Sequence, residues 1–338
     1  MSLGEAIAIA HPNVALSKYW GKRAGPWNFP AVPSLSVTLA GLTTRTRLRW
    51  RSDLPNDRVV LNGRELAPVE SPRIWSLIDR VRRKLALEAS AEVESDNDFP
   101  TASGLASSAS GFAALALAAV RAAGADWDMA QVSDLARRGS ASAARSVFGG
   151  FVELDAGPPD ADDAAREEHV LAARCIAPAD HMPLVVVVCV TTEARKAIGS
   201  TEGMHATMAS SPYAGAWLEH APRLHALLRA ALLARDYVRL GQLAEASALA
   251  MHASAIAAGV IYWERATLDS LSTVRALREA GTQVFATIDA GPHVKVLSRP
   301  QDAARVRSAM EATPGILRVI EATVGQGARV LEGGRAAS

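Results

Sequence analysis

The sequence predicts an α+β fold, with strands and helices mixed but not in strict alternation. Three observations carry that prediction. Ser34 to Leu39 and Thr44 to Trp50 alternate with a period of two, the mark of half-buried strands. Leu218 to Arg235, Tyr237 to Ala258 and Trp263 to Ala280 are long helical segments. Two further strands, Leu184 to Val190 and Gln283 to Asp289, flank those helices instead of alternating with them.

Taken in order, Ala6 to Ala10 is a strand, and Val59 to Leu61 runs into Asn62-Gly63, a hairpin turn signal. An amphipathic helix follows from Arg73 to Leu87, with Ile74, Leu77, Ile78, Val81 and Leu85 on one face. Gly111 to Ala123 is rich in Ala and Leu and has no charge before Arg121, so it predicts a buried helix. Asp128 to Arg138 predicts another helix, and Phe151 to Leu154 a strand end. Asp155 to His169 contains Gly-Pro-Pro and six acidic side chains, and reads as a mobile surface loop. Pro300 to Ala312 predicts a last helix before a strand around Ile316 to Ile320. The acidic loop and the new strand at Leu184 place a domain boundary near residue 183, dividing 1–183 from 184–338.

Composition excludes several classes. The 338 residues are 49% hydrophobic, enough for a large core, and the net charge of +1 lacks the basic excess of a nucleic-acid binder. Arg45 to Arg51 fits the wet face of a strand, and Arg80 to Lys84 the exposed face of a helix. The longest apolar runs, Phe112 to Val120 and Pro183 to Val190, are too short to span a bilayer. Met1 to Ala10 lacks the basic head and apolar core of a secretory signal. Two cysteines, Cys175 and Cys189, make no disulfide framework, and Cys189 reads as a buried thiol. The expectation is a cytoplasmic protein with neither nucleic-acid nor membrane partners.

Chemistry gathers first at Pro100 to Gly111. Two glycines, a run of small residues and the hydroxyls of Thr101, Ser103, Ser107, Ser108 and Ser110 precede a helix. Small residues let backbone approach an anion, and helix-start amides donate to phosphate oxygens. The Gly-Lys-Ser/Thr ending of a P-loop is absent. Composition alone leaves two readings open, a phosphate cradle and a tightly packed turn.

The surrounding motifs give the loop a context. Pro-Thr-Ala-Ser-Gly-Leu-Ala-Ser-Ser-Ala resembles the phosphate loop of the GHMP kinase superfamily. The lead-in Asn97-Asp98-Phe99-Pro100-Thr101 and five other segments resemble one branch, the diphosphomevalonate decarboxylases. Those segments are Asn13 to Arg23, Pro33 to Leu39, Gly139 to Gly150, Lys196 to Met204 and Thr287 to Pro292, in the family's order. The resemblance implies two lobes, an N-terminal lobe like ribosomal protein S5 domain 2 and a ferredoxin-like C-terminal lobe, with the active site in the cleft between. It also implies a homodimer, and ATP with Mg²⁺ as co-substrate and cofactor. The implied reaction phosphorylates mevalonate 5-diphosphate on its tertiary 3-hydroxyl, then expels phosphate and carbon dioxide to give isopentenyl diphosphate.

Each candidate has a plain alternative. Asp289 sits at a strand end before Ala-Gly-Pro, where it could accept a hydroxyl proton or simply cap a turn; the resemblance maps it onto the catalytic acid position. Lys18 would keep that carboxylate ionised and help hold the substrate, although most lysines lie at the surface. Arg145 has the planar fork to clamp the C1 carboxylate, or to form a structural salt bridge. Tyr19, Lys22, Ser140 and Ser142 are expected at the substrate, with Lys22 binding a diphosphate or facing solvent. Ser103, Gly104, Leu105, Ala106, Ser107, Ser108, Lys196 and Ser200 are expected at ATP, with Ser107 as the Mg²⁺ contact. The chain departs from the family with Ala141 for Gly, Ala144 for Cys, Ser17 for an aliphatic residue and His293 for Asn. Ala141 puts the local loop shape in question, because alanine avoids left-handed backbone. Sister activities on the same scaffold are a mevalonate 3-kinase and a phosphomevalonate decarboxylase, and a third reading is an idle binding protein.

Overall fold

The computed structural model describes residues 4–25, 27–99, 107–158, 167–194 and 196–331. The chain opens with β1 (Glu5–Ala10), β2 (Asn13–Ser17), β3 (Ser34–Thr38) and β4 (Thr44–Arg51), then the short β5 (Arg58–Leu61) and β6 (Arg64–Glu65). α1 (Pro72–Leu85) and β7 (Ser90–Asn97) precede α2 (Ser107–Ala122), α3 (Met129–Gly139) and α4 (Ala143–Ser146). β8 (Phe151–Leu154), β9 (Arg174–Ala177) and β10 (Val185–Val190) lead to α5 (Ser200–Ser210), α6 (Ala214–Leu233), α7 (Tyr237–Ile256) and α8 (Arg265–Glu279). β11 (Phe285–Ile288), β12 (Val294–Ser298), α9 (Ala303–Glu311), β13 (Arg318–Thr323) and β14 (Arg329–Val330) follow.

Among the described residues the strands form three sheets, ordered β14-β1-β4-β7-β5-β6, β2-β3-β8-β9 and β11-β12-β10-β13. This is the two-lobed α+β architecture expected. β4 shows why its alternation matters. Thr44, Thr46, Leu48 and Trp50 point inward, while Arg47 and Arg49 between them pair with Glu5, Glu92 and Glu94 on the wet face. The inward face receives α2, whose Ala and Leu side chains are buried on nearly every side. Trp50 closes that contact by donating its indole N–H to the Ala119 carbonyl at 2.9 Å.

A second core joins early and late parts of the chain. Val14, Leu16, Leu35, Val37 and Phe151 pack with Val186 and Val188, and with Leu224, Leu228 and Leu240 from α6 and α7. The opposite face of the β10–β12 sheet packs Val187 and Val296 against Val274 of α8 and Val306 of α9. Cys189 lies in this third core as a buried free thiol.

Several elements escape the sequence pattern. β7 reads Ser-Ala-Glu-Val-Glu-Ser-Asp-Asn, with only Ala91 and Val93 buried, and is made a strand by β4 and β5 on either side. α5 buries only Gly203, Met204 and Thr207, so no apolar stripe marks it. β12 is five residues long and fully buried, and its single lysine breaks the apolar run. Residues 159–166 of the expected acidic loop lie outside the described residues; Glu167 at its end accepts from the Trp27 indole at 2.7 Å.

Two features tie early and late segments together. β14 pairs antiparallel with β1, matching Ala8 to Val330, and the chain just before β14 runs so close to the segment before β8 that a Cβ on Gly149 would lie 2.4 Å from the Gly327 nitrogen. His225 on α6 bridges Ser17 Oγ at 2.9 Å and Glu153 Oε1 at 2.7 Å, and Arg174 reaches the other Glu153 oxygen at 2.7 Å. The His225 hydrogen bond is the main reason the Glu153 carboxyl falls to about 2, against the opposing push of burial. The folded carboxyl is depressed, so its stabilisation is present above the usual carboxylate range and is lost as pH falls toward about 2. Glu153→Gln should lower stability by about 3 kcal/mol near neutrality. The gap between wild-type and variant melting temperatures should then close below about pH 4.5. A pH series of melting curves checks both.

Candidate active site

β11 ends at Ile288 and the chain turns sharply, with the Gly291 amide donating to the Asp289 carbonyl at 2.7 Å. The Asp289 side chain does not cap this turn. It accepts from Lys18 Nζ at 2.7 Å and lies 3.3 Å from Lys295 Nζ, and 26% of it stays open to the cleft. Burial pushes this carboxyl up, but Lys18 and Lys295 outweigh it and hold it well below the usual carboxylate range.

Lys18 is no surface lysine, because its side chain is 2% exposed. It follows β2, and its backbone amide donates to Ser247 Oγ on α7 at 3.0 Å. Its ammonium also donates to the Ala15 carbonyl at 2.8 Å, and Thr287 Oγ1 donates to the same carbonyl at 3.3 Å. Burial, opposed by Asp289, brings Lys18 down to about 8, and the charges of Lys295 and Arg145 add to the fall.

Arg145 is buried on α4 and donates to Ser34 Oγ at 2.7 Å and to Asn13 Oδ1 at 3.3 Å. It forms no ion pair among the described residues, and its Nε is buried without an acceptor. Burial lowers it to about 10. The Tyr19 hydroxyl is likewise buried without a hydrogen-bond partner. These orphaned donors suit an anion that the protein itself does not supply. Ser140 and Ser142 share a hydrogen bond of 3.1 Å, and Ala141 between them has no positive φ, so alanine serves there without strain.

Lys22 donates to Asn28 and Thr201, and burial together with Arg73 lowers it to about 8. Lys196 donates to Ser200 Oγ at 2.7 Å and to the Ala290 carbonyl at 2.9 Å, which sets both residues beside Asp289. Burial, aided by Lys295, lowers Lys196 to about 8 as well.

All these groups converge. One cleft of about 1250 Å³ is lined by Lys18, Tyr19, Lys22, Ser107, Ser108, Ser140, Ser142, Arg145, Lys196, Ser200 and Asp289. Ser103, Gly104, Leu105 and Ala106 lie outside the described residues. Sequence reasoning missed two cations, Arg73 on the cleft wall and Lys295 beside Asp289. Arg73 opens the expected helix outside its apolar face, and nothing in the sequence marked it. Lys295 carried a signal, a lone charge inside Val294–Ser298, in a segment not read as a strand. A chain of net charge +1 thus concentrates Lys18, Lys22, Arg73, Arg145 and Lys196 in one concavity, which selects strongly anionic ligands.

Fold and cleft define a two-lobed α+β protein of the GHMP kinase type. Residues 10–165 match the model of the diphosphomevalonate decarboxylase-like N-terminal domain, and residues 186–330 that of the mevalonate 5-diphosphate decarboxylase C-terminal domain. Diphosphomevalonate decarboxylase of Candida albicans is 31% identical, over 95% of this chain and 96% of that protein. Phosphomevalonate decarboxylase of Haloferax volcanii is 35% identical, over 90% and 92%. Mevalonate diphosphate decarboxylase from Staphylococcus aureus superposes with a TM-score of 0.89 at 33% identity, covering 97% of this chain and 98% of that one. A solved structure described as MDDEF in complex with MVAPP, AMPPCP and magnesium gives the same TM-score and identity, over 98% and 100%. The chain belongs to the diphosphomevalonate decarboxylase family.

Inorganic pyrophosphate, added alone, should raise the melting temperature of the protein in a concentration-dependent way. The rise should be clearly smaller in Lys22→Met, as scanning calorimetry would show.

Proposed function

We propose that this protein is an ATP-dependent decarboxylase that converts mevalonate 5-diphosphate to isopentenyl diphosphate, in the mevalonate route of isoprenoid biosynthesis. One observation carries the reading: Asp289, Lys18 and Arg145 share a single cleft with Ser107 and Ser108 at the start of α2. The relatives named above support it. ATP phosphorylates the tertiary 3-hydroxyl, the new 3-phosphate departs, and the C1 carboxylate leaves as carbon dioxide. The products are ADP, phosphate, carbon dioxide and isopentenyl diphosphate.

Asp289 accepts the hydroxyl proton. Its carboxyl is too acidic to take that proton from a resting alcohol, so the transfer accompanies phosphoryl transfer, when the hydroxyl has become acidic. Lys18 keeps Asp289 ionised and holds the hydroxyl. Arg145, with its unused donor, clamps the C1 carboxylate so that the breaking C–C bond faces C3. Tyr19, Lys22, Ser140 and Ser142 take the 5-phosphate groups. The mutual pressure between Lys22 and Arg73 favours a diphosphate, whose extra charge relieves both. Ser107, Ser108, Lys196 and Ser200 face the ATP phosphates, and Val59, Leu61, Leu66 and Val93 give the cleft an apolar stretch for the base.

Among the described residues no three His, Cys, Asp or Glu side chains gather as a metal cage. Serine hydroxyls on a cationic cleft wall fit Mg²⁺ carried on nucleotide phosphates, with Ser107 as the protein's own contact. When bound, the metal neutralises phosphate charge during transfer. The lobes divide near residue 183, just before β10, a boundary supported by the gap between the two matched domain models. The protein is cytoplasmic and homodimeric on this reading, and exposed leucines on α6 such as Leu227 and Leu233 offer apolar surface for a partner copy. Light scattering would measure the mass in solution.

A second reading has a specific support. The Haloferax volcanii relative, 35% identical, is named for the monophosphate. Release of ADP and carbon dioxide from mevalonate, its 5-phosphate and its 5-diphosphate separates the cases. Preference for the diphosphate is expected. ADP without carbon dioxide points to a 3-kinase, and neither product with any substrate points to an idle binding protein. Asp289→Asn should lower kcat by about 10³-fold while nucleotide affinity, measured by calorimetry, stays within about twofold. Arg145→Ala should lower kcat far more than it weakens ATP binding.

A further inference from the structure

Behind the cleft stands a charge that the mechanism above does not use. Lys295 lies on β12, whose five residues are all buried, and its side chain is 2% exposed. Val294 and Val296 face the third core, so Lys295 points to the opposite side of the sheet, where Lys18 and Asp289 meet. Its ammonium lies 3.3 Å from Asp289 Oδ2, while Lys18 holds Oδ1 at 2.7 Å. It meets no acceptor in hydrogen-bonding geometry among the described residues.

Burial of an ammonium with unmet donors opposes folding. The fold does not need this charge for balance either, because Lys18 and Asp289 already form a neutral pair. The other titratable or charged groups nearby are Arg145 on α4, Lys196, Tyr19, Cys189 on β10, His252 on α7 and His293. Burial lowers both histidines to about 3, so neither adds charge near neutrality.

We propose that Lys295 is a positioning residue for the phosphoryl-transfer step: it fixes the second oxygen of Asp289 and adds the positive charge that draws the transferring phosphoryl group toward that carboxylate. The proposal rests on Asp289 being the residue at the reacting hydroxyl. With a hydrogen bond from Lys18 at one oxygen and the Lys295 charge beside the other, the carboxylate favours one orientation toward the cleft. The surplus charge also pushes Lys18 and Lys196 toward neutrality, which links Lys295 to the alkaline limit of activity.

The test compares Lys295→Met and Lys295→Arg with the wild type in kcat against pH, at saturating substrate and nucleotide, with melting temperatures alongside. Lys295→Met should lower kcat about tenfold or more with both KM values within about twofold. It should also move the alkaline limb of kcat upward by about one pH unit. Its melting temperature should stay level or rise. Lys295→Arg should keep the wild-type limb and recover part of the rate. A kcat in Lys295→Met within about twofold of the wild type overturns the proposal, and so does an alkaline limb that coincides with the wild type. If Lys295→Met does not fold, a limb displaced in Lys295→Arg overturns it, and an unchanged limb with retained turnover sustains it. Failure of the underlying reading is distinguishable, because it appears as turnover surviving in Asp289→Asn.

Discussion

The ion pair between Lys18 and Asp289 joins residues 271 positions apart, and the site is organised around it. It exists because β2 and β11 are brought face to face. Thr287 and Lys18 both donate to the Ala15 carbonyl, so the end of β2 is held from two sides. Ser247 on α7 fixes the Lys18 amide, and Ser17 next to it is held by His225. The shared core of Val14, Leu16, Val186, Val188, Leu228 and Leu240 supplies the apolar burial beneath these polar ties. A shift of either strand by one residue would turn Thr287 away from the Ala15 carbonyl.

Water is the competitor that this arrangement excludes. A lysine 2% exposed would surrender its proton readily without its carboxylate, and burial alone would make that carboxylate a weak acid. Each keeps the other charged, and the charge is usable because Asp289 retains an open edge. Arg145 follows the same logic differently, since its neighbours Ser34 and Asn13 are neutral. Its charge is therefore not spent inside the protein. The cleft is a place where positive charge is built up beyond what the fold can neutralise, in a chain whose total is nearly balanced.

Much of this was legible in the sequence, for identifiable reasons. β4 and α1 declare themselves because one face of each is buried and the other wet, so the pattern has a period. Asp289, Lys18 and Arg145 stood in ordered motifs, and the structure brings them to one cavity. β7, α5 and β12 were not legible. Their conformation is imposed by neighbours, and no period marks a polar strand between two partners or a strand buried on both faces. Lys295 was hidden for the same reason, because its meaning depends on which face of β12 it occupies. Ala141 and Ala144 posed a question that sequence could not answer, and the backbone answers it: both sit at negative φ and both are buried.

The pairing of β14 with β1 sets a timetable for the chain's biogenesis. On a ribosome, β1 emerges long before β14 and waits with one edge bare until Arg329 and Val330 arrive. The segment around Gly149 waits as long for Gly327. During that interval the early sheet presents unpaired backbone, the kind of surface that recruits other strands. The last described strand acts as a latch that covers part of the β1 edge and leaves a two-residue edge in its place, and a chain released early would lack it.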